Sequence, residues 1–274
     1  MAVRQKGNFM KKIGFIGAGN MATAIIKGLI AQNGDGSFIN VYDLSEEKLA
    51  EISKLGVNTL SSSQSIVKDS DIIVLAVKPQ NYAEVLDELK EVVSTDKTFV
   101  SIAAGISIAY VQNALGCNCP VVRVMPNTPL LLKKGASALC PSDNISEDDK
   151  QIVYDMFAGS GVCEYITEEH MNEIIAVNGS SPAYIYMFAQ AMADYAVSVG
   201  IDYDKALNLI CATLEGSAAM LRESGDTPDV LIQKVSSKGG TTIEALNVLR
   251  EQGFSASVKD AMKACTKRAE ELGK

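Results

Sequence analysis

The chain of 274 residues contains a single histidine, His170. That scarcity leaves a histidine-based metal site or a Ser-His-Asp triad without its parts, and His170 itself reads as a helix-surface residue. No apolar run approaches the roughly 18 residues that a membrane-spanning helix needs, so no membrane partner is expected. Positive charge is in deficit too: 33 acidic residues against 25 basic ones give a formal net charge of −8. Nucleic-acid binding needs a clustered basic surface, and this balance argues against it. Six cysteines (Cys117, Cys119, Cys140, Cys163, Cys211 and Cys265) are scattered along the chain. Only Cys117 and Cys119 lie close together, in a C-x-C without the second pair that zinc would require. They read as reduced thiols of a cytoplasmic protein, with no metal expected. The first nine residues carry Arg4 and Lys6 but no apolar segment of a secretory signal, and residues 1–10 are set aside as a tail.

What the chain does hold is core: 47% of its residues are hydrophobic and 21% charged, the balance of a soluble globular protein. Its length suggests two domains. Residues 12–16, 39–42, 71–77, 99–102 and 121–125 are short apolar runs that read as strands. Between them, residues 21–30, the segment after Ser45, and residues 82–93 and 107–115 have helical spacing, with Ser45 a candidate cap. Apolar strands alternating with amphipathic helices imply a doubly wound parallel sheet, an α/β Rossmann-type domain over residues 11–165. Residues 166–274 change character. They are rich in alanine and methionine, show no convincing strand, and read as an all-α domain with helices at 171–177, 183–199, 203–222, 230–235, 243–249 and 257–272. The apolar faces of these helices, residues 183–199 above all, need more partner surface than one small domain supplies, so self-association is expected through it.

Two glycine clusters stand at opposite ends of the chain. Gly17-Ala18-Gly19-Asn20-Met21-Ala22 follows the first strand and opens the first helix. There the glycines let the turn close and a pyrophosphate approach the helix N-terminus. Asp43, at the end of the second strand, is placed to accept from a ribose 2′-OH, which leans the cofactor towards NADH over NADPH; it could equally begin the next helix as a solvated cap. Further cofactor contacts are expected where later strands end, at Ala76-Val77-Lys78-Pro79, at Ala103-Ala104-Gly105, and at Asn127 and Thr128 between two prolines. The carboxamide of Asn127 and the hydroxyl of Thr128 would then face the nicotinamide edge. Met10, Met125, Met187 and Met192 read as core or pocket-wall residues.

The second cluster, Ser236-Ser237-Lys238-Gly239-Gly240-Thr241-Thr242, lies before residues of helical spacing. Closely approachable backbone amides, hydroxyls and a helix start favour a small anion such as a carboxylate.

Taken together, Gly14-Phe-Ile-Gly-Ala-Gly-Asn-Met21, Ala76-Val-Lys-Pro79, Ala103-Ala-Gly105, Met125-Pro-Asn-Thr-Pro129, Gly179-Ser-Ser-Pro-Ala-Tyr184 and Gly239-Gly-Thr-Thr-Ile-Glu-Ala-Leu246 resemble pyrroline-5-carboxylate reductase over essentially the full length. The resemblance implies reduction of 1-pyrroline-5-carboxylate to L-proline by NADPH or NADH, the last step of proline biosynthesis. It also implies a helical domain that interlocks in a dimer, often built further into a decamer, with substrate bound at the dimer interface. On that basis Ser237 and the amides of Gly240, Thr241 and Thr242 take the substrate carboxylate, and the Thr242 hydroxyl bonds the ring nitrogen as the catalytic group. Glu168 either approaches the substrate from the other side or merely begins a helix in Thr167-Glu168-Glu169. Ser180 and Tyr184 shape the start of a long helix. Two departures stand out: Lys238 replaces the family's usual proline, and Asn178 its usual serine. Two other readings are a β-hydroxyacid dehydrogenase, whose lysine base is missing from residues 182–199, and a non-catalytic dinucleotide-sensing dimer.

Overall fold

The computed structural model describes residues 11–273, so the 1–10 tail and Met10 lie outside the described residues. The chain opens with β1 (Ile13–Ile16), α1 (Asn20–Asn33), β2 (Ile39–Tyr42), α2 (Glu46–Ser53), β3 (Asn58–Thr59), α3 (Ser63–Asp69) and β4 (Ile72–Leu75). It continues with α4 (Tyr82–Leu89), β5 (Thr98–Ser101), α5 (Ile108–Leu115), β6 (Val121–Met125), β7 (Gly135–Pro141), α6 (Glu147–Ala158) and β8 (Gly161–Tyr165). These strands form one eight-stranded sheet in the order β3-β2-β1-β4-β5-β6-β7-β8. All neighbours run parallel except β6 and β7, which pair antiparallel with Met125 opposite Ala138.

Strand periodicity explains the two layers of core. Successive side chains leave a strand on opposite faces. Phe15, Val74 and Val100 therefore join Ile25, Val41 and Phe157 on one face, while Ile16, Ile73, Leu75 and Phe99 pack with Leu86 and Val111 on the other. Every residue of β1 and β4 is buried, as a parallel strand covered on both sides requires. Ser45 caps α2 through Lys48 N–H, as its position in the sequence suggested.

The sheet extends beyond the sequence reading, which left out β3, α3, β7, α6 and β8. Residues 171–177, expected to be one helix, instead follow a 3-10 turn at Glu168–His170 and run into a π-turn at Ile175–Gly179.

The chain divides into two compact units. One runs through Ser180 and takes back Cys265 onward; the other is Ser181–Ala264. The sequence boundary near residue 165 thus lies upstream of the division between units. The second unit holds α7 (Ser181–Ser198), α8 (Tyr203–Glu223), α9 (Pro228–Lys234), α10 (Thr241–Glu251) and the start of α11 (Phe254–Leu272). Along α7, Tyr186, Met187 and Tyr195 are exposed, and so is Leu209 on α8. An apolar helix left this bare needs a partner. Among the described residues no helix is long and apolar enough to cross a membrane.

Candidate functional site

The carboxyl ends of the parallel strands gather the loops that the sequence singled out. Strand order reverses between β1, which continues outward to β2 and β3, and β4, which continues to β5 and β6. A ligand crevice in a doubly wound sheet opens at such a switch. Gly17 turns the chain out of β1 at φ 107°, donating its N–H to Tyr42 O at 2.7 Å. Gly19 is the N-cap of α1 and offers no side-chain cap, and a Cβ built on it would meet nothing within 4 Å among the described residues. Asn20 is exposed and Met21 half-buried on the first turn. The uncapped amides of α1, with open space before them and no acidic residue in the first turn, fit a pyrophosphate.

Asp43 follows β2 and is held from both sides. Its Oδ2 accepts from Ala18 N–H at 2.7 Å and its Oδ1 from Ser45 N–H at 2.9 Å, while Lys48 Nζ stands 3.5 Å away. The carboxylate thus ties the glycine turn to the start of α2. A cleft of about 500 Å³ opens beside Ala18 and Ser45, with Thr23, Lys27, Lys48 and Lys54 in its wall. Sequence reading missed Leu44, a large apolar side chain 88% exposed directly after Asp43.

Beyond β4, Ala76 N–H bonds Ile16 O at 2.8 Å, Val77 is half-buried, and exposed Lys78 precedes Pro79 at the start of a short 3-10 turn. Tyr82 anchors this loop from below, donating to Leu75 O at 2.8 Å and lying 3.1 Å from Ser101 Oγ. Burial drives the Tyr82 hydroxyl well above the usual tyrosine range, so it stays protonated. After β5, Ala103 and Gly105 are buried and Ala104 half-buried. Gly105 adopts φ 83°, and a Cβ there would fall 2.3 Å from the Ala269 carbonyl oxygen on the last turns of α11. Gly273 approaches from the same side, 2.2 Å separating its would-be Cβ from Gly105 O.

At the end of β6, Thr128 is exposed but Asn127 is not. The Asn127 carboxamide, expected to face the nicotinamide edge, turns inward: its Oδ1 accepts from Ala136 N–H at 2.9 Å and its Nδ2 donates to Asn178 O at 3.1 Å. Glu168 begins a 3-10 turn, the second of the roles its sequence position allowed. Its Oε1 accepts from Arg123 Nη1 and from Ile108 N–H, both at 3.1 Å. Arg123, buried on β6, also reaches Asn172 Oδ1 at 2.6 Å. Replacing Arg123 with alanine should therefore cost about 2–3 kcal/mol of stability, less than a fully enclosed pair because the Glu168 side chain is 37% exposed. Denaturant unfolding reads this directly; a loss below about 0.5 kcal/mol would mean the cluster holds nothing in place.

The buried thiols are inert. Burial pushes Cys119 and Cys140 up to about 12, helped by Cys117 in one case and the Glu168 carboxylate in the other, and Cys163 up to about 11. The folded state keeps these protons while an unfolded chain releases them near 9, so stability is full below pH 9 and erodes as pH rises towards 12. Urea midpoints that stay flat from pH 8.5 to 11 would contradict this.

In the helical unit, Ser237, Thr241 and Thr242 are exposed around the start of α10, as the sequence placed them. Gly239 takes φ 72°, Gly240 is the N-cap, and its N–H bonds Ser237 O at 3.0 Å. A Cβ on Gly240 would strike Ser237 Oγ at 2.5 Å, so the loop folds its hydroxyl against the helix start. Exposed Lys238 sits at the outer turn. His170, also exposed, faces Glu169 at 3.6 Å.

Known proteins match this arrangement. Residues 12–105 match a family model described as NADP oxidoreductase coenzyme F420-dependent, and residues 168–272 one described as pyrroline-5-carboxylate reductase dimerisation. Fold and loops define an NADP-binding oxidoreductase with a helical dimerisation domain. Pyrroline-5-carboxylate reductase of Escherichia coli (strain K12) is 41% identical over 267 residues, 96% of this chain and 99% of that protein. The crystal structure of the Plasmodium falciparum pyrroline carboxylate reductase with NADP bound superposes with a TM-score of 0.89 at 30% identity, covering 96% of this chain and 98% of that one. A pyrroline-5-carboxylate reductase from Coxiella burnetii gives 0.87 at 34% identity, covering 96% and 99%. The chain belongs to the pyrroline-5-carboxylate reductase family of oxidoreductases.

Proposed function

We propose that this chain reduces 1-pyrroline-5-carboxylate to L-proline with NAD(P)H, the last step of proline biosynthesis. The observation that carries the reading is the Ser237–Thr242 loop, whose uncapped amides at the start of α10 suit a small carboxylate. The substrate is a cyclic imine bearing that group. Ser237 Oγ and the amides of Thr241 and Thr242 hold the carboxylate, while the Gly240 N–H, expected to join them, is already given to Ser237 O; the Thr242 hydroxyl hydrogen-bonds the ring nitrogen as it gains a proton from solvent. No nucleophile or histidine base is called for. A bound nicotinamide would supply the hydride. The amides of Gly19, Asn20 and Met21 would hold its pyrophosphate over the turn that Gly17 and Ala18 shape, and Asp43 would take the adenosine ribose, with Leu44 as a wall for the adenine. Residues 76–79, 103–105 and the Asn127-Thr128 backbone would line the nicotinamide end. The catalytic contribution of the protein is positioning and electrostatics.

Both cofactors serve, with NADH favoured. Asp43 is fixed by two backbone amides and cannot swing away from a 2′-phosphate, while Lys48 offsets only part of its charge. Glu168 braces Arg123 and the start of α5 through Oε1. Residues 11–165 act as the dinucleotide domain and 166–274 as the dimerisation and substrate domain, assembling as dimers and further into decamers. Six free cysteines suit the cytoplasm. One assay tests the reading: NADH and NADPH oxidation with pyrroline-5-carboxylate, beside 2-hydroxy acids in the reverse direction. Turnover confined to the 2-hydroxy acids, or cofactor binding without turnover, overturns it.

A further inference from the structure

Asn178 makes more of its position than a serine there could. Its Nδ2 donates to two carbonyls at once, Met125 O at 2.8 Å and Ala136 O at 3.0 Å. Asn127 answers from the other side, bonding Ala136 N–H and Asn178 O. The ladder between β6 and β7 ends at Met125 opposite Ala138. At Ala136, two residues further, the carboxamides of Asn127 and Asn178 take over the N–H and C=O that the missing strand partner would have used. The π-turn brings Asn178 into reach: Ser180 N–H closes on Ile175 O at 2.8 Å, and Gly179 lies so close to Met125 that a Cβ would sit 2.6 Å from its Cε. Such turns recur at functional sites because they re-aim one side chain out of a helical register.

We propose that Asn178 is a positioning residue for hydride transfer, clamping the end of β6 so that Pro126–Thr128 presents a fixed wall to the nicotinamide. The proposal rests on the cofactor reading given above. A serine hydroxyl has one proton to donate and a shorter reach, so it can hold one of the two carbonyls at most. An aspartate has the same shape but, when ionised, no donor, and it would set negative charge against both carbonyl oxygens.

The test compares Asn178→Ser and Asn178→Asp with the unsubstituted enzyme. Asn178→Ser should lower kcat about five- to ten-fold, the effect of one or two lost hydrogen bonds on geometry. The dissociation constant for NADH should stay within about two-fold, because none of the clamp's hydrogen bonds involves residues 17–21 or Asp43. Two readouts are independent of turnover: the Ala136 amide should exchange at least about ten-fold faster, and the emission of enzyme-bound NADH should move towards that of the free cofactor. Asn178→Asp should exceed the serine variant in each respect. If it fails to fold, the serine variant decides alone. Unchanged kcat and bound-NADH emission in Asn178→Ser overturn the clamp while leaving the proposed function standing. A lower melting temperature with unchanged kcat for the folded enzyme assigns Asn178 a purely structural role and overturns it too. An unsubstituted enzyme inactive on pyrroline-5-carboxylate overturns the proposed function, and the clamp with it.

Discussion

Gly17→Ala is expected to weaken NADH binding about 100-fold, about 2.7 kcal/mol, and to lower the melting temperature as well. Gly17 sits at φ 107°, where an L side chain is strained whatever space surrounds it. There is also no space: a Cβ would lie 2.6 Å from the Ala76 carbonyl oxygen and 2.8 Å from its carbon. Both obstacles are backbone, so relief means pushing the glycine turn and the 76–79 loop apart, and both are assigned to the cofactor. The same movement would strain the Ala18 N–H bond to Asp43. Gly19→Ala is the informative companion. Nothing among the described residues stands within 4 Å of its Cβ, and its φ of −75° suits any residue. It should therefore leave the melting temperature alone while reducing cofactor affinity, because the only thing a methyl could meet there is ligand. A fluorescence titration and a thermal melt on both variants separate protein strain from ligand exclusion. If Gly19→Ala binds NADH normally, the pyrophosphate is not at this turn.

Thr242→Ala carries the second large effect, a fall in kcat of about ten-fold or more, about 1.4 kcal/mol. The threonine is exposed on the first turn of α10, and Gly240, not Thr242, is the N-cap. Folding therefore needs little from its hydroxyl, and stability should stay within about 0.5 kcal/mol, as for other surface positions. NADH affinity should likewise hold. A change confined to turnover would place the hydroxyl at the reacting nitrogen. Full activity in Thr242→Ala would remove it from the mechanism and leave the loop as a carboxylate site only.

The central strands and the glycine turns were legible because each is a strong local signal. Ile13–Ile16 and Ile72–Leu75 are apolar throughout, and Gly17 and Gly19 stand directly at the join of strand and helix. β7 was hidden by its own packing. Its sequence, Gly-Ala-Ser-Ala-Leu-Cys-Pro, looks like a loop, yet small residues are what fit there: a Cβ on Gly135 would come within 2.8 Å of Leu130 Cβ. β8 escaped because most of its residues are exposed and so show no apolar pattern. The inward turn of Asn127 and the commitment of Glu168 to Arg123 were out of reach for another reason. Each depends on a partner about 45 to 51 residues away, and no local spacing encodes which of several polar side chains will meet it. The division between the units was obscured because α11 begins in one and finishes in the other, while its residue pattern is continuous.

That helix also bears on the order of biosynthesis. Domains usually fold from the N-terminus as they leave the ribosome, and the strands through β6 could pair early. Gly105, however, packs closely against the backbone of Ala269, on the last turns of α11, and of Gly273 just after it. The loop after β5 is thus left without that backing until residues 269–273 have been made, long after the strands it follows.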